Sequence, residues 1–230
     1  GWSHLQLGNV QEADRIFDAG LAAVTEAGHY LGRAFLLSKY GLAAEAQGDH
    51  ERASQLHHEG REIFVKAGDL GGQGYTLSRL SWSYYLQGNF ETARRYALDG
   101  LAQFEEINHR WGIAVSYGRL GLAELELGHV DAACGAFLTC LQRAQEAGLV
   151  EQQHYAVTGL GRALAREGHE AGGRILSFEA AAEGNPYVEF ARMGLADIPE
   201  DARTDPEPGM DLAAVTALAV AAVAELPGSD

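Results

Sequence analysis

Along most of this chain the apolar positions recur every three or four residues, the spacing of one face of an α-helix. The stretch Gly88 to Leu127 shows the unit most clearly. Gly88-Asn89 is a turn, Glu91 to Glu106 is predicted helical, Asn108 breaks it, and Trp111 to Leu127 is predicted helical again. Ala93, Ala97, Leu101 and Phe104 form a single apolar stripe on the first helix. The second carries Val115, Tyr117, Leu120, Leu122, Ala123 and Leu125, apolar around more of its circumference, so it must lie between neighbours. The pair is a helix hairpin.

The hairpin repeats. Gly8, Gly48, Gly88, Gly128 and Gly168 are each 40 residues apart, and Ala13, Ala53, Ala93, Ala133 and Gly173 follow them at a constant five residues. A second column of small residues, Gly1, Gly41, Ser81, Gly121 and Gly161, keeps the same period. Small side chains at fixed columns let two helix backbones approach closely, and the turn glycines supply the left-handed conformation that ends a helix. A fixed period of this size marks a repeat array. The pattern predicts helices over Val10 to Ala27 and Tyr30 to Gln47, His50 to Ala67 and Gly71 to Gln87, Phe90 to Ile107 and Trp111 to Leu127, Val130 to Ala147 and Val150 to Glu167. A fifth turn, Gly168-His169, opens one more helix to Glu183, after which the period fails. Asn185-Pro186 reads as the start of a short helix, Pro199 to Gly209 as an acidic, proline-rich linker, and Asp211 as the cap of a terminal helix from Leu212 to Leu226. Gly1 to Leu7 aligns with Gly121 to Leu127, in mid-helix, so the chain is expected to be a fragment of a longer protein. The expected organisation is an array over residues 1–183 and a tail over 184–230.

Leu120-Gly121, Glu124, Gly128, Ala133, Phe137 and Leu141 resemble the tetratricopeptide repeat (TPR) family, as do Leu80-Ser81, Tyr84, Gly88, Ala93 and Leu101, and Tyr40-Gly41, Ala44, Gly48, Ala53 and Arg61. The chain departs from that family in its 40-residue period, against about 34, and in lacking the closing proline. The longer form is similar to the sensor arrays of bacterial STAND signalling ATPases, including maltose-activator-like regulators, and to animal polarity adaptors. The resemblance implies an all-α fold, an α-α superhelix (TPR solenoid) of right-handed form with about four and a half 40-residue hairpins and a C-terminal helical tail. It also implies a concave groove whose lining, carried over by position, includes Phe35, Leu42, Glu45, Tyr75, Ser78, Arg79, Trp82, Tyr85, Arg119, Leu122, Tyr155 and Arg162, with Trp2 and Leu5 before them. Tyr75, Trp82 and Tyr85 are residue types enriched in binding hot spots, and Arg79, Arg119 and Arg162 could hold an acidic group; Trp82 and Tyr85 serve equally well as fillers between helices. The chaperone-binding subset of the family clamps a terminal carboxylate with lysines and asparagines. Ser38, Leu42, Ser78 and Trp82 stand there instead, which disfavours that function.

Composition narrows the partner. Acidic residues outnumber basic ones 32 to 17, a net charge of -15, which argues against nucleic acid and suits a basic peptide or protein. The apolar run Leu212 to Leu226 is shorter than the about 20 residues a membrane span needs, so no membrane is expected. Cys134 and Cys140 share one helix and point roughly 120° apart, which prevents their pairing and fits free thiols in a cytoplasm. His50, His129 and His169 fall at turns. His57 and His58, adjacent on one helix, diverge by about 100° and cannot share an ion, and His57 belongs to a packed column with Phe17, Ala97 and Phe137. Gly71-Gly72-Gln73-Gly74 lacks the Lys-Ser or Lys-Thr of a phosphate loop and joins two helices. No cofactor, no metal and no catalytic arrangement is expected. The function expected is a non-catalytic protein-interaction or sensor module, recognising a protein, a peptide or its own upstream nucleotide-binding domain. The alternatives are a small-molecule or short-peptide receptor using the aromatic groove, and a scaffold or dimerisation element. The terminal helix, with hardly a polar side, must bury against something: the last repeat as a cap, the groove, or a second copy in self-association.

Overall fold

The computed structural model describes residues 9–182, 188–196, 198, 203 and 209–226. Eleven helices occur among them: α1 (Val10–Glu26), α2 (Tyr30–Ala46), α3 (His50–Ala67), α4 (Leu70–Leu86), α5 (Phe90–Glu106), α6 (Arg110–Glu126), α7 (Val130–Ala147), α8 (Val150–Arg166), α9 (Glu170–Ala181), α10 (Val188–Ala196) and α11 (Leu212–Ala224). The fold is all-α, its helices packed consecutively in adjacent pairs as the repeat implied. Gly1 to Leu7, the Asn185-Pro186 helix start and most of the Pro199 to Gly209 linker lie outside the described residues.

One turn is used from α1 through α8. Gly28, Gly48, Gly68, Gly88, Gly128, Gly148 and Gly168 all have positive φ, and Asn108, in the same column, adopts φ 51° as the one non-glycine among the described residues to do so. Asn tolerates this conformation best after glycine. The next amide then bonds back to the carbonyl five residues earlier, as in His29 N to Val24 O and His109 N to Phe104 O, at 2.8–3.0 Å throughout. Asp49, Asp69 and Asn89 cap the following helices by accepting from Arg52, Gly72 and Thr92 amides, and His169 Nδ1 accepts from Ala171 N. His129 shares the capping position but bonds Glu124 instead, at 2.7 Å. His50 lies one residue later, as the first residue of α3.

The helices form two compact units, residues 1–112 and residues 113–230, divided within α6. In the first, α1 to α5 stack in chain order, and α2 also touches α4, so the even helices share a layer. Its core holds Phe17, stacked on Tyr40 at 4.7 Å, with Leu37, Leu56, Ile63 and Phe64. In the second, α7, α8, α9 and α10 stack in order, and α11 lies across α8 and α9. The terminal helix thus covers the last hairpin. Val215, Ala219, Ala222, Val223 and Leu226 are buried there, while Ala213, Ala217 and Val220 face outward.

Large rings are seated on missing side chains. A Cβ on Gly72 would stand 2.2 Å from the Phe64 ring, one on Gly112 2.3 Å from Phe104, one on Gly41 2.4 Å from His57, and one on Gly121 2.8 Å from Phe137. Gly135, on the exposed side of α7, has nothing within 4 Å. The two positions therefore predict opposite signs. Gly72→Ala should lower stability by about 1–3 kcal/mol through overpacking, whereas Gly135→Ala should raise it by about 0.5–1 kcal/mol through helix propensity. Urea titrations of both variants beside the parent chain check this, and equal shifts would contradict the packing account.

Candidate functional site

In unit 1 the sequence-predicted groove residues lie on α2 and α4. Tyr75, Arg79, Trp82 and Tyr85 are three or four residues apart, which puts them on one stripe of α4. All four are partly accessible. Trp82 stacks on Tyr85 with centroids 5.3 Å apart and planes 10° from parallel, and Tyr85 leans on Phe90 at 5.6 Å. Tyr75 stacks on Trp111 at 6.5 Å. On α2, Leu42 is half-buried and Phe35 is 54% exposed, its ring edge-on to Phe64. Ser78 is buried at the close approach of α4 and α5, where Gly100 nears its amide.

Beneath this stripe sits a polar cluster. Glu45 of α2 is almost wholly enclosed, and its carboxylate accepts from Ser83 Oγ at 3.0 Å, from Arg79 and from His57, whose Nε2 lies 3.2 Å away. Burial alone would raise the Glu45 carboxyl, but the His57 hydrogen bond and the Arg79 charge hold it below its usual 4.5. His57, fully buried against Gly41, is pushed below 6.5 by desolvation, which outweighs the pull of Glu45. So Arg79 does not wait for an external acid; its partner is internal. The column that holds Glu45 contains Tyr85 and Leu125 at the next two periods, and an acid among apolar residues is the sequence signal for this cluster.

A second aromatic group surrounds His58. Its Nε2 lies 3.3 Å from Tyr84 Oη and 3.5 Å from Tyr96 Oη, the two rings stack at 5.4 Å, and Arg95 lies over Tyr96. His57 and His58 accordingly point into different clusters. Neither belongs to a group of three or more His, Cys, Asp or Glu residues able to hold a metal, and there is none among the described residues.

In unit 2, Leu122 and Tyr155 are buried, and Arg119 donates to Tyr155 Oη at 3.2 Å with its guanidinium 5.6 Å above the ring. Tyr155 itself is seated on Gly118. Arg162 is also buried and holds Glu126 at 3.0 Å, a carboxylate it shares with Arg166 at 2.6 Å. Arg166 also bonds the Leu125 carbonyl. These four groove positions serve as packing and internal pairing in their own unit. Cys134 and Cys140 are buried and free, their thiols pushed by burial to about 11 and about 12. No helix among the described residues is long and apolar enough to cross a membrane.

Known proteins add the fold. No family model matches the chain, and no curated protein does. Among solved structures, the crystal structure titled BtubC (BKLC) from P. vanneervenii is similar, with a TM-score of 0.64 and 15% identity over 93% of this chain and 86% of that one. At that identity the likeness is one of fold, and it supports a helical repeat scaffold.

Two outcomes follow for the Glu45 cluster. Glu45→Ala leaves Arg79 and His57 without their acceptor and should cost about 3–5 kcal/mol, the cost of breaking a buried pair from one side. The double variant Glu45→Leu with Arg79→Leu should recover a large part of that in the same urea titration. Acid should also weaken the fold. Because His57 is held below 6.5, the unfolded chain binds more protons in that window, so stability is full above 6.5 and falls as pH drops below it. Glu45, held below 4.5, adds a loss as pH falls through its folded value. Melting temperatures between about pH 7 and about pH 5.5 should decline, with a shallower slope in His57→Asn.

Proposed function

We propose that this chain is a non-catalytic recognition module that binds a protein or peptide, serving as the interaction or sensor region of a larger bacterial signalling or transcription-regulating protein of the STAND type. The observation that carries the reading is the α4 stripe: Tyr75, Trp82 and Tyr85 lie in line, partly accessible, stacked on one another or on neighbouring rings. Rigid stacked aromatics present large contact area at little conformational cost, which is the chemistry of hot spots. The Glu45 cluster beneath fixes α4 against α2, so the stripe is held ready before a partner arrives. The 40-residue TPR-like period supports an array evolved for recognition, and the net charge of -15 favours a basic partner.

A peptide-display selection against the intact chain tests this. Selected peptides should be basic with an aromatic or aliphatic anchor, should weaken in high salt, and should lose at least about tenfold in affinity against Trp82→Ala combined with Tyr85→Ala. Peptides that bind this folded double variant as tightly as the parent would sink the assignment of the stripe.

A further inference from the structure

In unit 1 the group around His58 joins α3, α4 and α5, and its residues do not recur in the other hairpins. Forty residues either way, Asp18 and Leu98 stand for His58, Ala44 and Glu124 for Tyr84, and Leu56 and Ala136 for Tyr96. Arg61, one turn beyond His58 on α3, interrupts a column otherwise made of Leu21, Leu101 and Leu141. Leu101 and Leu141 are buried in their own hairpins. Arg61 is half-buried, and its Nε is enclosed with no hydrogen-bond partner among the described residues. A leucine would fill this position without that desolvation cost, so the arginine is retained for its charge.

Neither Arg61 nor Arg95 forms an ion pair among the described residues, and the Arg95 guanidinium rests 5.1 Å from the Tyr96 ring centre. Both act on His58. Burial pushes its imidazole below 6.5, and the charges of Arg61, His57 and Arg95 push the same way against the opposing charge of Glu62. Cations thus prevail around this ring in a chain whose net charge is -15. Two hydroxyls also converge on its Nε2, Tyr84 Oη at 3.3 Å and Tyr96 Oη at 3.5 Å. Both distances are long and one ring nitrogen has a single bonding direction, so at least one hydroxyl keeps its hydrogen for another acceptor. Stacking of the two tyrosines, with centroids 5.4 Å apart, fixes those hydroxyls in place.

The geometry points to an oxyanion site: His58, Tyr84 and Tyr96 bind one phosphate group, free or carried as a monoester, with Arg61 and Arg95 supplying the charge. The hydroxyls and a protonated His58 donate to its oxygens, and the guanidinium groups neutralise it. Donors arriving from three helices suit a tetrahedral group better than the two oxygens of a carboxylate. The site is independent of the aromatic stripe, because Tyr84 and Tyr85, adjacent on α4, diverge by about 100°.

Sodium phosphate, methyl phosphate and sodium acetate are titrated separately into the intact isotope-labelled chain at constant pH, with ionic strength held by chloride, and the amides of His58 and Tyr96 are followed by NMR. Saturable shifts are expected with at least one phosphate probe, and acetate should bind at least about fivefold more weakly. Tighter binding of methyl phosphate assigns a monoester, tighter binding of phosphate the free ion, and equal binding a phosphate group from either source; each supports the site. Arg61→Leu restores the leucine of the column, so it should keep the fold while weakening phosphate binding at least about fivefold. Arg15→Gln, a charge loss in an exposed ion pair on α1, should change it less than about twofold. The site is refuted if neither phosphate probe saturates beyond the chloride control, if acetate binds as tightly, or if Arg61→Leu weakens binding no more than Arg15→Gln. Urea titration checks the fold of each variant, and Arg95→Gln, at an exposed position and expected to weaken binding similarly, carries the comparison if Arg61→Leu does not fold.

Discussion

Close approach of helix backbones is the constraint on which this structure rests, and it is met by matching volumes across each interface. At two successive periods one helix carries a ring where its neighbour carries glycine: Phe64 meets Gly72 and Phe104 meets Gly112. One period later the equivalent pair is Ala144 and Gln152, both buried, with the bulk transferred to the other helix. The second column differs. His57 lies on Gly41 and Phe137 on Gly121, while the intervening period offers Ala97 and Ser81, the latter using its hydroxyl to bond the Ala93 carbonyl at 2.9 Å. In the first column the bulk moves from one helix to the other, whereas in the second the pair Ala97 and Ser81 is small on both sides, so side-chain size is redistributed among neighbouring positions from one period to the next.

The buried carboxylates in this interior are met from neighbouring helices or turns, whereas buried hydroxyls such as Ser38, Thr76 and Thr158 bond carbonyls of their own helix. Glu45, Glu124 and Glu179 are all nearly or fully buried, and they meet His57 with Arg79, His129, and His154 respectively. Such clusters add little net stability, since desolvation opposes the attraction. What they add is register. Glu45 reaches from α2 past its own hairpin partner to α4, and Glu126 reaches from α6 to Arg162 and Arg166 on α8. Each ties together helices that apolar packing alone would allow to slide.

The extent to which the sequence revealed the molecule follows from this division. Helix number, helix limits and turns were legible because each depends on local chemistry: a left-handed residue at 28, 68, 108 and 148, a capping side chain such as Asp69 after one of them, an apolar face at helical spacing. Asn108 could be recognised as a turn because it occupies a glycine column. The groove residues were legible as positions but not as roles. Arg79 and Arg162 look available in a sequence, and only the fold shows that Glu45 and Glu126, 34 and 36 residues earlier, have come within bonding distance. The terminal helix announced its need for a partner through composition, yet the choice of α8 and α9 depends on shape complementarity that no periodicity encodes.

The volume exchange between columns also bears on how such a chain can diverge. The hairpins share backbone geometry and turn chemistry, so a genetic duplication or exchange of one 40-residue block would keep every turn intact. The interfaces would not tolerate it equally. Splicing the α8 block behind α5 would press Phe104 against the position of Gln152, two bulky groups where one ring and one hydrogen atom now meet. The blocks began as interchangeable units, but their paired substitutions have made each a specific neighbour of the next, fixing their order along the chain.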